Sequence, residues 1–219
     1  TNSPDQKTLS EQILGMSSKR APDGPAQKLT TIRQRLVEGN YTDALRLCEE
    51  GQKNFPSHNG FLQLTGETQL AMGNVEAAKS AFQRSIKLNA KDKSSHSSLA
   101  NLYFDLGKYV YAALSFSDVI YLDPDDSDSR YMQGLSYFKA KEWGRAAAAW
   151  EDLLHYKPDN EVVRVLLPQT YYILAIEYNR LGNPSMGKQS FKNALSVNPN
   201  SNQWLASSMS VSYTHLTLP

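Results

Sequence analysis

A single cysteine, Cys48, stands in 219 residues. No disulfide can form within the chain, and the redox compartment stays open. Lysine and arginine (23) almost balance aspartate and glutamate (22), which removes the argument for nucleic acid or an anionic membrane surface as partner. No apolar run approaches the ~18 residues a spanning helix needs, and no secretory leader is visible. The four histidines (His58, His96, His155, His215) include no pair three or four apart, so no helical metal pair exists. Phosphate-cradling glycine loops and nucleophile elbows are missing as well. The expectation is a chain with no catalytic constellation, no cofactor and no metal.

What the chain does have is a period. Gly39, Gly73 and Gly107 stand 34 residues apart, as do Ala44, Ala78, Ala112 and Ala146, and again Cys48, Phe82, Phe116 and Trp150. Pro56, Ala90, Pro124 and Pro158 keep the same interval. A fixed period of this length marks one helix-turn-helix repeat used again and again. The first helix of each repeat is expected to end near Gly39, Gly73, Gly107 or Lys141, where a tight turn follows. The second helix sets a small residue four positions before a large one, as in Ala112 with Phe116. That spacing puts both on one face, the small residue letting helices approach and the large one filling the gap. The first helix carries its own small residue at an equivalent place: Gly66, Ala100, Gly134 and Ala175.

Leu99, Ala100, Tyr103, Gly107, Tyr109, Ala112, Phe116 and Pro124 together resemble the tetratricopeptide repeat pattern. Gly134, Tyr137, Trp143, Ala146, Trp150 and Pro158 carry it into the next repeat. The resemblance implies an all-α fold, a right-handed α–α superhelix of about five helix pairs. The expected array spans residues 25–201, with repeats at about 25–58, 59–92, 93–126, 127–160 and 161–201. The first repeat fits the pattern worst, because Thr31, Ile32 and Arg35 stand at the family's Leu, Gly and Tyr positions. The fifth is too long: Pro199 follows Pro158 by 41 residues, leaving Glu161 to Leu167 as a seven-residue surplus. Seven residues are about two helical turns and preserve the helix face. With Val162, Val163, Val165, Leu166 and Leu167, this surplus is expected to be buried. Pro168 is expected to open the next helix or to kink one long helix.

Outside the array, residues 1–24 are polar and read as a disordered linker, and the start at Thr1 suggests a fragment with a missing N-terminus. Residues 202–210, with Trp204 and Leu205, read as the start of a truncated further helix. Residues 211–219, VSYTHLTLP, have no repeat pattern and resemble a translated sequencing adapter, an artefact to be set aside. Such a tail points to a bacterial or other microbial sample.

Two chemical candidates have plainer explanations. Asp123, Asp125, Asp126 and Asp128 surround Pro124 without the glycine or closing glutamate of a calcium loop, and are expected to cap helices. Cys48 falls where the family buries a large side chain, so a packed thiol is expected rather than a nucleophile.

The resemblance also implies that the first helix of each repeat lines a concave groove. On that reading repeats two and three present Gln63, Glu67, Ser94, Ser97, Ser98, Asn101 and Asp105, a polar set. Repeats four and five present Tyr131, Met132, Leu135, Tyr172, Ile173, Ile176 and Arg180, and this apolar half is the expected partner-binding site. The clamp with which one subtype of the family grips chaperone C-termini is absent in this register, where Leu29, Arg33, Leu64, Ser94 and Ser98 stand instead. The expected function is a non-enzymatic scaffold or adaptor that binds a protein or peptide partner, without nucleic acid and without membrane insertion. Two alternatives stay open: an accessory or regulatory segment of a larger enzyme such as a glycosyltransferase or kinase, and an envelope-anchored assembly factor. Cytoplasm and bacterial envelope both remain open as compartments.

Overall fold

The structure is a computed structural model that describes residues 24–198; residues 1–23 of the expected linker (1–24), the end of the expected array (199–201), the truncated helix (202–210) and the adapter-like tail (211–219) lie outside the described residues. Ten helices and no strand occur among the described residues. They fall into two compact units. The first, ending at Ala90, holds α1 (Pro25–Val37), α2 (Tyr41–Asn54), α3 (Gly60–Ala71) and α4 (Val75–Leu88). The second, from Lys91, holds α5 (Lys93–Asp105), α6 (Tyr109–Leu122), α7 (Ser127–Lys139), α8 (Trp143–Tyr156), α9 (Glu161–Arg180) and α10 (Pro184–Val197). Consecutive helices within each unit pack on one another.

The turns inside the repeats are built alike. After α1 the amide of Gly39 donates to the Leu36 carbonyl, and that of Asn40 to the Arg35 carbonyl. The same two bonds follow α3, α5, α7 and α9. This is the Schellman closure, which needs a residue in the left-handed region. Gly39, Gly73, Gly107 and Gly182 supply it with φ between +69° and +79°, while the fourth repeat uses Lys141 at φ 62°. A side chain in that region is strained. Lys141→Gly is therefore expected to raise stability by about 0.5–1 kcal/mol, read as a higher urea midpoint; a lower midpoint would show that the strain is offset locally.

The core is assembled from small-against-large pairs. A Cβ added at Gly134 would sit 2.2 Å from Trp150 Nε1, and one at Gly66 would sit 2.4 Å from Phe82 Cε1. Ala100 and Phe116 share a third cluster. Repeat one inverts the order. Ile32 occupies the small position and Cys48 the large one; both are fully buried in one cluster with Leu29, Ala44, Phe61 and Leu64. Its poor match to the pattern thus conceals an ordinary helix pair, because volume is exchanged across the contact and not lost.

The surplus before repeat five lengthens one helix. α9 runs unbroken for 20 residues with Pro168 inside it. Pro168 has no N–H to offer the carbonyl four residues back, at Arg164. The expectation that the surplus is buried needs correction. Val163 and Leu167 are fully buried, but Val162 and Val165 are 56% and 55% exposed. Side chains advance by about 100° per residue, so one face of the added turns meets the core and the opposite face does not.

Candidate partner-binding face

All seven expected site residues lie in the second unit, on α7 and α9, and the structure divides them by depth. Tyr131 and Leu135 are half-buried and pack against the cluster of Trp150, Leu153, Val163, Leu167 and Tyr171. The backbone carbonyl of Tyr131 accepts a hydrogen bond from Trp150 Nε1 at 3.3 Å, which ties α7 to α8 beneath the face. Met132 turns to the neighbouring cluster around Ala112 and Phe116. Tyr172 is only 8% exposed and meets Phe191 edge-on, with ring centroids 5.7 Å apart. Its role is to pack α9 on α10. Ile173 is half-buried, Ile176 is 39% exposed, and Arg180 is exposed, its ion pair with Glu177 standing at 4.0 Å. The open part of the set is thus Ile173, Ile176 and Arg180, with the rims of Tyr131 and Leu135.

Val162 and Val165 belong with them, although reading the surplus as buried left them out. Stepping by 100° places Val162, Val165, Gln169, Ile173, Ile176 and Arg180 within about 80° of arc on α9. The 3–4 spacing of these residues was the available signal.

Several charged groups away from this face hold helix ends and neighbouring helices together. Asp126 caps α7 by accepting from the Ser129 amide at 2.9 Å, and Lys93 Nζ bridges Asp123 and Asp126 at 2.6 and 3.3 Å. The Lys93 bonds hold the carboxyl of Asp123 below its ordinary range. This agrees with the capping expectation for the acidic cluster. Arg130, almost fully buried, lays its guanidinium over the Tyr156 ring, 4.1 Å from the centroid.

Cys48 and Tyr171 are the buried groups whose protonation matters most. Burial pushes the Cys48 thiol up to about 11. Burial, and the hydrogen bond that Tyr171 Oη donates to the Glu151 carboxylate, raise the Tyr171 phenol as well. In both cases the fold favours the neutral form. Their contribution is fully present below the unfolded-state values and is lost as pH rises through the folded ones. Unfolding free energy is expected to fall by about 2 kcal/mol between pH 7.5 and 10.5 from Cys48 alone. Urea titrations of the wild type and Cys48→Ala at both pH values check this, since the variant should lose less. An equal loss in both would assign the alkaline sensitivity elsewhere.

Paired antiparallel helices, one closure motif and a small-against-large contact within each pair define an all-α helical-repeat protein. Matches to family models give the family. Tetratricopeptide repeat models match residues 64–127, 128–160 and 168–201, together more than half of the chain. The chain belongs to the tetratricopeptide repeat family. Residues 161–167, the first two turns of α9, fall between two of these matches.

Solved structures show the same fold. The crystal structure of YrrB, described as a tetratricopeptide repeat protein with an unusual peptide-binding site, aligns with a TM-score of 0.56 at 12% identity, over 85% of this chain and 92% of that one. A crystal structure of MamA aligns at 0.54 and 19% identity, over 82% and 94%. A MamA structure from Desulfovibrio magneticus RS-1 aligns at 0.54 and 16%, over 83% and 99%. No curated protein matches the chain. Among the described residues no helix is long and apolar enough to cross a membrane.

Proposed function

We propose that the chain is a non-enzymatic interaction module that holds a segment of a protein partner on the α7–α9 face of its second unit. The observation that carries this reading is the apolar surface made by half-buried Ile173 and exposed Ile176, bordered by the rims of Tyr131 and Leu135, at positions whose α5 equivalents are Ser97, Ser98 and Asn101. Apolar side chains that recur along one helix face, with Val162 and Val165 two turns before Ile173 and Ile176, form a continuous candidate interaction surface where single exposed residues would not. Three further facts support it: the family, the peptide-binding site named for YrrB, and the absorption of Cys48 and Tyr171 into packing.

The experiment is partner capture on immobilised chain, comparing wild type with Tyr131→Glu/Ile176→Glu. The double variant is expected to lose capture while keeping helical ellipticity and melting cooperatively. Tyr131 leans on the core cluster, so Ile176→Glu alone is run beside it. Capture that survives both substitutions would place the partner elsewhere.

A further inference from the structure

We propose that the chain pairs with a second copy of itself through the outer face of α6, the two helices running antiparallel about a two-fold axis. α6 carries a single charged residue, Asp118, in fourteen. One side of it, with Ala112, Ala113, Phe116 and Val119, is buried where α6 packs on α5 and α7. The other side is apolar too: Val110 is 39% exposed, Tyr111 61%, Leu114 52% and Tyr121 86%. Steps of 100° gather these four within about 100° of arc, as one stripe. A helix that is apolar on opposite sides keeps one side uncovered when only the other is packed. The repeat itself does not call for such a stripe. The positions matching Val110, Leu114 and Tyr121 hold Glu76, Ser80 and Lys87 on α4, and Gly144, Ala148 and His155 on α8, all of them exposed. The Tyr103 ring of α5 lies 5.6 Å from that of Tyr111 and steadies it before any pairing.

Area points to a second copy as the occupant. The exposed parts of the four side chains amount to about 450 Å² on one copy, the size of a functional patch. A two-fold pair uses the same patch on both copies, so the area counts twice. It reaches about 1,000 Å² with Ser117 and Asp118 beside it, which is what a specific interface needs. Shape fixes the direction. The stripe starts with the smaller Val110 and Leu114 and ends with its most exposed member, Tyr121. Antiparallel pairing lays Tyr121 of each copy over Val110 of the other, about 16 Å apart along one helix. The axis then falls midway, and the two Leu114 side chains meet beside it. A parallel pair would set tyrosine on tyrosine at one end and leave a gap at the other. Asp118, whose carboxylate stands 3.7 Å from His96 Nδ1 of its own copy, meets its counterpart on one flank. That like-charge contact keeps the pair reversible.

The test is sedimentation velocity on the full chain from about 1 to about 200 μM, the range that an interface of this size calls for. A monomer–dimer equilibrium is expected. Leu114→Lys/Tyr121→Ser should raise its dissociation constant at least about tenfold, because each substitution acts twice in a two-fold pair. Both side chains are exposed, so helical ellipticity and melting should stay as in wild type. Disulfide trapping reads the direction. Leu114→Cys should cross-link to its own kind on mild oxidation, whereas Val110→Cys and Tyr121→Cys should cross-link when mixed and not singly. Wild type, with Cys48 fully buried, is the control. The proposal is overturned if the chain stays monomeric across the range, if the dimer ignores the double variant, or if growth continues beyond the dimer. Val110→Cys or Tyr121→Cys chains that cross-link singly would overturn the antiparallel arrangement. A dimer lost on Ile176→Glu but kept in the α6 variant would move self-association to the α9 face. A monomer that dimerises only after deletion of residues 1–23 would assign the stripe to that segment instead.

Discussion

Truncating Trp150 to alanine is expected to lower the unfolding free energy by ~3–5 kcal/mol, the range for removing a large buried aromatic. Trp150 is fully buried at the meeting point of α7 and α8. Its ring lies 5.7 Å from that of Phe138, its Nε1 donates to the Tyr131 carbonyl, and Leu153, Val163 and Leu167 share its cluster. The indole is seated against the bare backbone of Gly134, which has no side chain to fill the space the ring leaves on that side. Urea denaturation followed by circular dichroism reads the loss. A change under about 1 kcal/mol would mean that the cluster collapses around the void.

The complementary change, Gly134→Ile, is expected to cost at least ~1–3 kcal/mol by overpacking. The added Cβ would fall 2.2 Å from Trp150 Nε1 and 2.3 Å from its Cδ1. A wide indole wedged between helices cannot give way as a flexible side chain would. Repeat one shows how the fold accommodates the reverse arrangement, with Ile32 at the small position and Cys48 at the large one. Gly134→Ile combined with Trp150→Ala copies that solution. The double variant is expected to be more stable than the sum of the two single losses by ~1 kcal/mol or more. Additivity would show that the two positions do not share one volume.

Periodicity made most of the fold legible. The interval between Gly39, Gly73 and Gly107 located the turns, and all three adopt the left-handed conformation expected there. Lys141 was readable only as the residue standing in register with them, since nothing in its chemistry asks for that conformation. Repeat one was harder because a pattern read position by position misses an exchange between two positions. Ile32 looked like a mismatch until Cys48 was seen across from it. The surplus in α9 was misread for a different reason. Composition alone, five aliphatic residues in seven, does not say how many sides of a helix have neighbours, and here the core meets one side only. Of the candidate site, the face was legible from register, but depth was not. Tyr172 and Ile176 follow the same rule of position, yet α10 covers the first through Phe191 and leaves the second open.

The pairing of small with large has a bearing on how such a chain can change over generations. The Gly66–Phe82, Gly134–Trp150 and Ile32–Cys48 contacts each close inside one repeat, between its first helix and its second, whereas Gly51 of α2 seats the Phe61 ring of α3 across a repeat boundary. Duplicating or deleting a whole 34-residue block therefore carries these matched halves together and opens only the contacts between neighbouring repeats. Exchanging single helices does not. A first helix bearing Ile32 joined to a second bearing Trp150 would crowd the contact, and one bearing Gly134 joined to a second bearing Cys48 would leave it hollow. For these three contacts the helix pair is the unit that must be inherited together, because its two halves share one volume.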